Sequence, residues 1–194
     1  MPDGADHVAF AYSADGKDRF TTTYPNLNLL DDTTKTPQTV TIHENHDASI
    51  VVRDPKQLSE KNVTGSVYLD LTKSNNDAWA QLSTTNGDLS GNVIKAGQKG
   101  YSTFSGKVPT ITDDNANIAI RRLEKDNDTT FDYSEMKVEE GSTATTWMPS
   151  ASEAKEEDYP SHIGKYTDNN SHEQSTNPLK YAWSILKKVK DTII

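Results

Sequence analysis

Short runs of alternating apolar and polar residues fill the middle of the chain from about residue 38. Turn residues such as Gly, Asn and Asp separate one run from the next. Alternation with a period of two is typical of β-strands that have one buried and one solvated face. The runs cover residues 39–43, 48–52, 65–72, 78–83, 93–95, 101–108, 117–123 and 130–138.

The runs recur at a spacing of roughly ten residues, and no convincing helix separates them. Such spacing is typical of an all-β sandwich or barrel, whereas a parallel βαβ fold would need helical crossovers. The sequence therefore predicts an all-β protein with a β-sandwich at residues 37–149. Residues 1–36 and 150–194 are interpreted as irregular N-terminal and C-terminal connector segments.

Strand parity predicts which side chains reach the open face of the sandwich. If the apolar positions of runs 65–72, 78–83 and 117–123 point inward, the residues between them point outward. Aromatic rings cover the apolar face of a pyranose, and planar polar side chains bind its hydroxyls. If these strands are neighbours, one face forms a saccharide site. Its residues are Tyr68, Asp70, Trp79, Gln81 and Arg121. The alternatives are an ordinary solvated face, or reversed parity with Trp79 in the core.

Other aromatic residues are interpreted by their place in the pattern. Tyr101 and Phe104 lie on opposite faces of one run, so at least one is expected in the core. Trp147 follows the last predicted strand and is expected to cover the edge of the sandwich rather than to contact a ligand. Trp183 alternates like a strand residue with Leu179, Tyr181 and Ile185, and we expect the C-terminal segment to pack against another chain or domain.

Composition and charge narrow the classes of partner. The formal net charge is −9, which disfavours binding to nucleic acid or to an anionic membrane. No stretch of about 18 apolar residues is present, so no membrane insertion is expected. The first residues lack the basic and apolar regions of a signal peptide. Because there are no cysteines, disulfides, thiolate metal sites and cysteine nucleophiles are excluded.

Segments near both ends of the chain resemble motifs of a known protein family. Residues 10–21, FAYSADGKDRFT, resemble the A-Y-A-x-S-A-D-G-x-D-x-F segment of tail-fibre and minor structural proteins in phages of Gram-positive bacteria. Residues 24–30, YPNLNLL, resemble the N-L-L segment that precedes carbohydrate-binding jelly rolls in those proteins. Residues 159–168 and 175–184, YPSHIGKYTD and STNPLKYAWS, resemble their connector Y-P-x-Y-I-G-x-Y-T-D … S-x-x-P-x-x-Y-x-W.

The last predicted strand leads into a further motif of the same family. Residues 136–147, MKVEEGSTATTW, resemble the K-x-E-x-G-x-x-A-T-x-W ending of these modules. The connector departs from the family at two places. His162 stands where an aromatic residue is usual, and residues 186–190, LKKVK, stand where I-R-G-x-D-G usually follows. Over residues 38–128 the prediction rests on the strand pattern alone.

The resemblance implies a jelly-roll β-sandwich of the carbohydrate-binding type in a receptor-binding or baseplate protein of a phage tail. Its expected partners are host cell-wall polysaccharide or teichoic-acid sugars and other phage tail proteins, with the chain itself in a homo-oligomer. The expected location is the virion tail, which is assembled in the bacterial cytoplasm and is extracellular after lysis.

An acidic cluster near the end of the sandwich offers hard oxygen ligands, which suit calcium. Its members are Asp126, Asp128, Asp132 and Glu135. Phe131 stands where an EF-hand loop has glycine, and the ordinary alternative is a solvated acidic turn. Because related jelly rolls often carry a structural calcium ion, the resemblance adds calcium as an expected cofactor.

No catalytic motif is found in the chain. His43 and His46 are three residues apart, whereas the zinc-protease motif needs four, and on a strand they would face opposite ways. A Gly-rich phosphate loop and a nucleophile elbow are also absent from the sequence. We therefore expect no enzymatic activity. The leading hypothesis is adhesion to host saccharide, and the alternative is a structural tail spacer or decoration domain that binds protein partners.

Overall fold

Eleven β-strands and three short 3-10 helices form the part of the chain that the computed structural model describes, residues 4–51 and 55–186. The strands are β1 (Ala5–Ala11), β2 (Gln38–Ile42), β3 (Ala48–Val51), β4 (Asn62–Asp70), β5 (Ala78–Thr84), β6 (Gly87–Ser90), β7 (Lys99–Lys107), β8 (Asn117–Arg122), β9 (Thr129–Glu140), β10 (His162–Asp168) and β11 (Ala182–Ile185). The 3-10 helices are Pro55–Leu58, Glu156–Asp158 and Pro178–Lys180. None of the helices in the described ranges has the length and apolar composition needed to cross a membrane.

The strands from β2 to β9 form two antiparallel four-stranded sheets with the orders β2-β9-β4-β7 and β3-β8-β5-β6. Most successive strands lie in different sheets, so the chain repeatedly crosses from one sheet to the other. This order is that of a jelly roll, in which two Greek keys form a double sheet. The predicted all-β sandwich is therefore confirmed.

Apolar side chains from both sheets form one core between them. The predicted inward positions are all buried, as the alternation required: Val67, Leu69, Leu71, Ala78, Ala80, Leu82, Ile118 and Ile120. Phe104 is 2% exposed and Tyr101 is 51% exposed, so the expected division between these two aromatics is confirmed. Gly65 makes room for Phe104, because a Cβ at position 65 would lie 2.1 Å from the Phe104 ring.

One predicted strand is replaced by a neighbouring one. Residues 93–95 were expected to form a strand, but within them Ile94 makes only an isolated bridge to Ala78. The strand β6 lies earlier, at Gly87–Ser90, and forms a hairpin with β5. Thr84 pairs with Gly87 across this hairpin, so the chain reverses in the two-residue turn Thr85–Asn86.

Contacts between residues divide the chain at different places from the predicted bounds. The sandwich unit comprises Asn26–Ala154 rather than 37–149. Residues 26–36 join it through the backbone, since Leu29 donates its N–H to the carbonyl of Val138 at 2.9 Å. The segment forms no strand, and Leu30 reaches the core through contacts with residues distant in the sequence, so the strand pattern could not assign it.

The predicted irregular connectors instead meet in a second unit, which combines residues up to Pro25 with those from Lys155 onward. Its sheet has the order β1-β10-β11, and all pairs are antiparallel. On β1, alternate residues are buried: His7, Ala9 and Ala11. The buried face of β1 consists of a histidine and two alanines and gave only a weak strand signal. The irregular assignment was wrong for β1 and β10, whereas β11 lies within the strand-like alternation of residues 179–185.

The aromatic residues of this second unit contact one another. Trp183 lies 5.7 Å from Tyr181 and 6.1 Å from Phe20 between ring centroids, and its Nε1–H donates to the carbonyl of Pro178 at 2.9 Å. A Cβ at Gly16 would lie 2.0 Å from the Trp183 ring, and Gly16 has a φ of +73°. Trp183 was expected to pack against another chain or domain, but it packs against the N-terminal segment of its own unit.

Candidate functional site

The five residues predicted to form one saccharide platform lie on two different sheets. Tyr68 and Asp70 are on β4, in the sheet β2-β9-β4-β7. Trp79 and Gln81 on β5 and Arg121 on β8 are in the other sheet. Because the inward faces of both sheets share one core, their outward side chains point in opposite directions. The prediction of a single platform is therefore wrong, although the outward parity of each residue is correct.

The sheet β3-β8-β5-β6 brings three of these residues together, and we call its outer side the Trp79 face. Trp79 is the direct cross-strand partner of Arg121. The Trp79 Nε1–H donates to Gln81 Oε1 at 3.4 Å, and Arg121 forms an ion pair with Asp47. Arg121 also donates to Ser83 Oγ at 3.1 Å. The planar polar groups on this face therefore bind one another, which leaves fewer of them free for a ligand.

The outer side of the sheet β2-β9-β4-β7 contains a cavity of about 340 Å³, and we call it the Tyr101 face. Residues from three strands and from the segment after β9 line the cavity: Ser66, Tyr101, Thr103, Glu135, Ala144, Thr145, Thr146 and Trp147. Two aromatic side chains, one carboxylate and several hydroxyls therefore face the same space. The volume falls in the range of small-molecule sites.

Glu135 reaches the cavity because β9 has a β-bulge. In the pairing of β4 with β9 the register shifts between Ser66, which faces Lys137, and Tyr68, which faces Ser134. Glu135 has a φ of +54°, a left-handed conformation that is costly for a residue with a side chain. Its N–H donates to the carbonyl of Thr34 at 2.8 Å. Bulges of this kind re-aim a side chain and often lie beside functional sites.

Tyr101 connects the carboxylate to the aromatic surface. Its hydroxyl donates a hydrogen bond to Glu135 Oε2, and its ring meets the Tyr68 ring edge-on at 5.0 Å. Burial raises the pKa of Tyr101, and the hydrogen bond and negative charge of Glu135 raise it further. The phenol therefore stays protonated at neutral pH and can hold Glu135 in place.

A buried ion pair holds the far wall of the cavity. Lys137 and Glu139 are 1% and 2% exposed, and Lys137 Nζ lies 3.2 Å from Glu139 Oε2. Lys137 also donates to Thr145 Oγ1 and to the carbonyl of Thr146, both at 2.8 Å. Burial lowers the pKa of Lys137, and Glu139 opposes part of that shift. These bonds fix the segment that leads into Trp147.

Trp147 has two roles in the structure. Its Nε1–H donates to Thr33 Oγ1 at 3.1 Å, and Lys35 Nζ lies 5.6 Å from its ring centroid. Trp147 was expected to cover the edge of the sandwich rather than to contact a ligand, and the structure places it in the lining of the cavity. The sequence motif placed Trp147 after the last strand, and no sequence signal showed that the segment folds back across the Tyr101 face.

The aspartates expected to bind calcium do not come together. Asp128 contacts His43 Nδ1 at 3.1 Å, and Asp132 accepts from Thr39 Oγ1 at 2.5 Å on the Tyr101 face. Asp126 is exposed in the loop before β9. Among residues 4–51 and 55–186, no group of three or more His, Cys, Asp or Glu side chains is placed to hold a metal ion. These residues therefore do not fit a shared calcium ion.

Comparison with known proteins connects the fold to a phage particle. No family model matches the chain, and no curated protein matches it. Among solved structures, the chain is similar to the tripod (BppUct-A-L) from the baseplate of bacteriophage Tuc2009. The TM-score is 0.75 at 25% sequence identity, and the alignment covers 96% of this chain and 80% of that one. The likeness supports a tail or baseplate role.

Proposed function

We propose that the chain is a non-catalytic adhesion module of a phage tail or baseplate, and that it binds saccharide on the host cell surface. The observation that carries this proposal is the cavity on the Tyr101 face. Tyr101 and Trp147 supply aromatic surface for the apolar face of a sugar ring. Glu135, held there by a bulge, supplies a planar acceptor for hydroxyl groups.

The expected ligands are host cell-wall polysaccharide or teichoic-acid sugars. No bond is made or broken in this role, so affinity and copy number decide its strength. A single shallow site binds weakly, and several copies in one tail raise the overall avidity. The module would act in the virion tail, after assembly in the bacterial cytoplasm and release by lysis.

The first experiment measures binding of the purified chain, displayed in multiple copies, to Gram-positive cell walls and to a glycan array. Tyr101→Ala is compared with Trp79→Ala, a matched removal of an outward aromatic on the opposite sheet. We expect Tyr101→Ala to weaken saccharide binding by about tenfold or more, equivalent to about 1.4 kcal/mol, and Trp79→Ala to leave it unchanged. Circular dichroism checks that both variants keep the fold.

Two other outcomes are informative. Loss of binding in Trp79→Ala alone would move the site to the Trp79 face, where Gln81 and Arg121 lie. Absence of binding by the folded, multimerised wild-type chain would contradict the adhesion proposal.

A purely structural role is the second candidate, and the second unit favours it. Leu179 and Ile185 are 76% and 72% exposed there, so both apolar side chains are accessible to a partner. Their partners would be other tail proteins or further copies of the chain in a homo-oligomer. Light scattering of Leu179→Glu and Ile185→Lys variants tests this, since a structural interface predicts dissociation without any change in saccharide binding.

A further inference from the structure

A second cavity of about 340 Å³ lies on the Tyr101 face, toward the other end of β4. The residues that line it come from β2, β4, β9 and the turn after β4: Thr39, Asp70, Thr72, Lys73, Thr130, Phe131 and Asp132. Both cavities therefore share strands β4 and β9. The proposed function above uses the first cavity only.

Strand β4 sets the distance between the two cavities. Ser66 lines the first cavity and Asp70 lines the second, and both point outward together with Tyr68 between them. Four residues of β-strand span roughly 13 Å. That length exceeds one pyranose ring and matches a short linear oligosaccharide. The edge-to-face pair of Tyr68 and Tyr101 occupies the surface in the middle.

The second cavity has the polar groups that sugar hydroxyls need. Asp70 and Asp132 are direct cross-strand partners. Asp70 Oδ1 accepts from the Thr72 amide at 3.0 Å and from the Thr72 hydroxyl at 2.5 Å, and these bonds hold the pKa of Asp70 below its usual range. Lys73 lines the same cavity, and Lys99 is the partner of Asp70 on its other side.

Because Lys73 lines the second cavity together with Asp70 and Asp132, the cavity combines both signs of charge. A mixed set of charged hydrogen-bonding groups suits the hydroxyls of an uncharged chain, which both donate and accept.

We propose that the Tyr101 face binds a linear, uncharged saccharide chain along β4, with successive sugar units in the first cavity, over the Tyr68–Tyr101 pair and in the second cavity. This inference rests on the proposed function and adds that the ligand is recognised within a polymer chain rather than at a single sugar residue. Asp132 and Asp70 are then specificity-determining residues for chain length.

The test uses a size-fractionated ladder of cell-wall oligosaccharides, from one to six sugar units, labelled at the reducing end. Affinity is measured by fluorescence anisotropy for the wild-type chain, Asp132→Ala and a matched control, Asp113→Ala. Asp113 makes the same charge change in the loop between β7 and β8, away from both cavities. We expect the wild-type chain to bind the longest member about tenfold or more tighter than the disaccharide.

The variants separate two-cavity binding from a general effect of chain length. We expect Asp132→Ala to remove most of the gain from disaccharide to hexasaccharide and Asp113→Ala to retain it. If the disaccharide binds and longer chains bind no tighter, or if Asp132→Ala keeps the full gain, the inference is wrong while the adhesion proposal stands. If no member of the ladder binds, both the adhesion proposal and this inference are wrong.

Discussion

The two outer faces of the sandwich begin from the same sequence pattern and end differently. Each presents outward aromatic and polar residues between buried apolar ones. On the Trp79 face, Trp79, Gln81 and Arg121 bind neighbours within their own sheet. On the Tyr101 face, a bulge and a returning chain segment add Glu135 and Trp147 to the surface and form a cavity. Alternation along the strands places aromatic and polar side chains on an outer face. The irregular backbone at the bulge and before Trp147 adds the side chains that form the candidate site.

The largest expected difference between the faces lies in their ion pairs. Lys137→Met leaves Glu139 charged and buried without its cation, so we expect a loss of about 3–5 kcal/mol in the free energy of unfolding. On the Trp79 face, Asp47 is 13% exposed and lies within 3.8 Å of Lys125, so Arg121→Met leaves Asp47 a second cation nearby. We expect this variant to lose only about 1–2 kcal/mol in the free energy of unfolding. Urea unfolding of both variants measures the two losses, and equal losses would contradict the comparison.

A double variant separates stability from shape on the Tyr101 face. Lys137→Met combined with Glu139→Leu removes the unpaired buried charge but also the acceptor of Asn26 Nδ2 and of the Thr145 N–H, so part of the stability returns. The bonds to Thr145 and Thr146 are still lost, so the cavity wall is no longer fixed. We expect saccharide binding to stay weak in this variant although the stability to urea partly recovers. Recovery of both would show that the wall is not needed.

Substitution of the residue at the β-bulge should raise the stability of the fold and weaken saccharide binding. Glu135→Gly removes a side chain from a left-handed backbone position but also deletes the hydrogen bond from Tyr101, so we expect the free energy of unfolding to rise by less than about 1 kcal/mol. The same change deletes the carboxylate that Tyr101 contacts, so saccharide affinity should fall. Glu124→Gly, at an exposed position without a positive φ, serves as control and should lower stability. If Glu135→Gly and Glu124→Gly change the free energy of unfolding in the same direction, the backbone strain assigned to the bulge is wrong.

Removal of a single hydroxyl should have a smaller effect. Tyr101→Phe keeps the aromatic surface and deletes the hydrogen bond to Glu135. We expect saccharide affinity to fall only a few-fold and the free energy of unfolding to change by about 1 kcal/mol or less, as for a typical single hydrogen bond. Trp79→Phe deletes the longer bond to Gln81 and should change neither quantity. Titration calorimetry and urea unfolding measure the two effects.

The smallest expected effect depends on pH. The hydrogen bonds from Thr72 hold the pKa of Asp70 below its usual range, so the carboxylate stabilises the fold more than the neutral acid does. That contribution is complete above the ordinary pKa of about 3.9 and is lost as the pH falls through the lower folded value. Melting curves of wild type and Asp70→Asn should therefore differ slightly at pH 7 and converge in strong acid. A difference that grows in acid would contradict this assignment.

The sequence predicted the sandwich and its parity because these depend on local alternation. Leu69 and Leu82 are buried, and Tyr68 and Trp79 point outward, as expected. The sequence could not show that β4 and β5 lie in different sheets, since the partner of each strand is far away in the chain. The jelly-roll order came from the family resemblance rather than from spacing.

The sequence did not predict most of the candidate site, because the contacts that form the site join residues distant in the chain. Glu135 was considered only as part of an acidic cluster, because its orientation depends on a register shift that no local pattern reveals. Tyr101 was recognised as one of two opposed aromatics, but the cavity beside it needs Trp147 to return across the sheet. Both features depend on contacts with residues distant in sequence, and the alternation of one strand cannot encode them.

The small sheet β1-β10-β11 gives the chain a mechanical property. Ala5 pairs with Asp168 at one end of β10, whereas Ile185 pairs with His162 at the other end. Tension that draws Ala5 and Ile185 apart along the strands therefore loads the hydrogen bonds of both pairs in shear, all together rather than one after another. The load passes from β1 through β10 to β11, so residues 26–154 carry no force until that sheet yields. A module built in this way can bear tension between Ala5 and Ile185 while its sandwich remains unloaded.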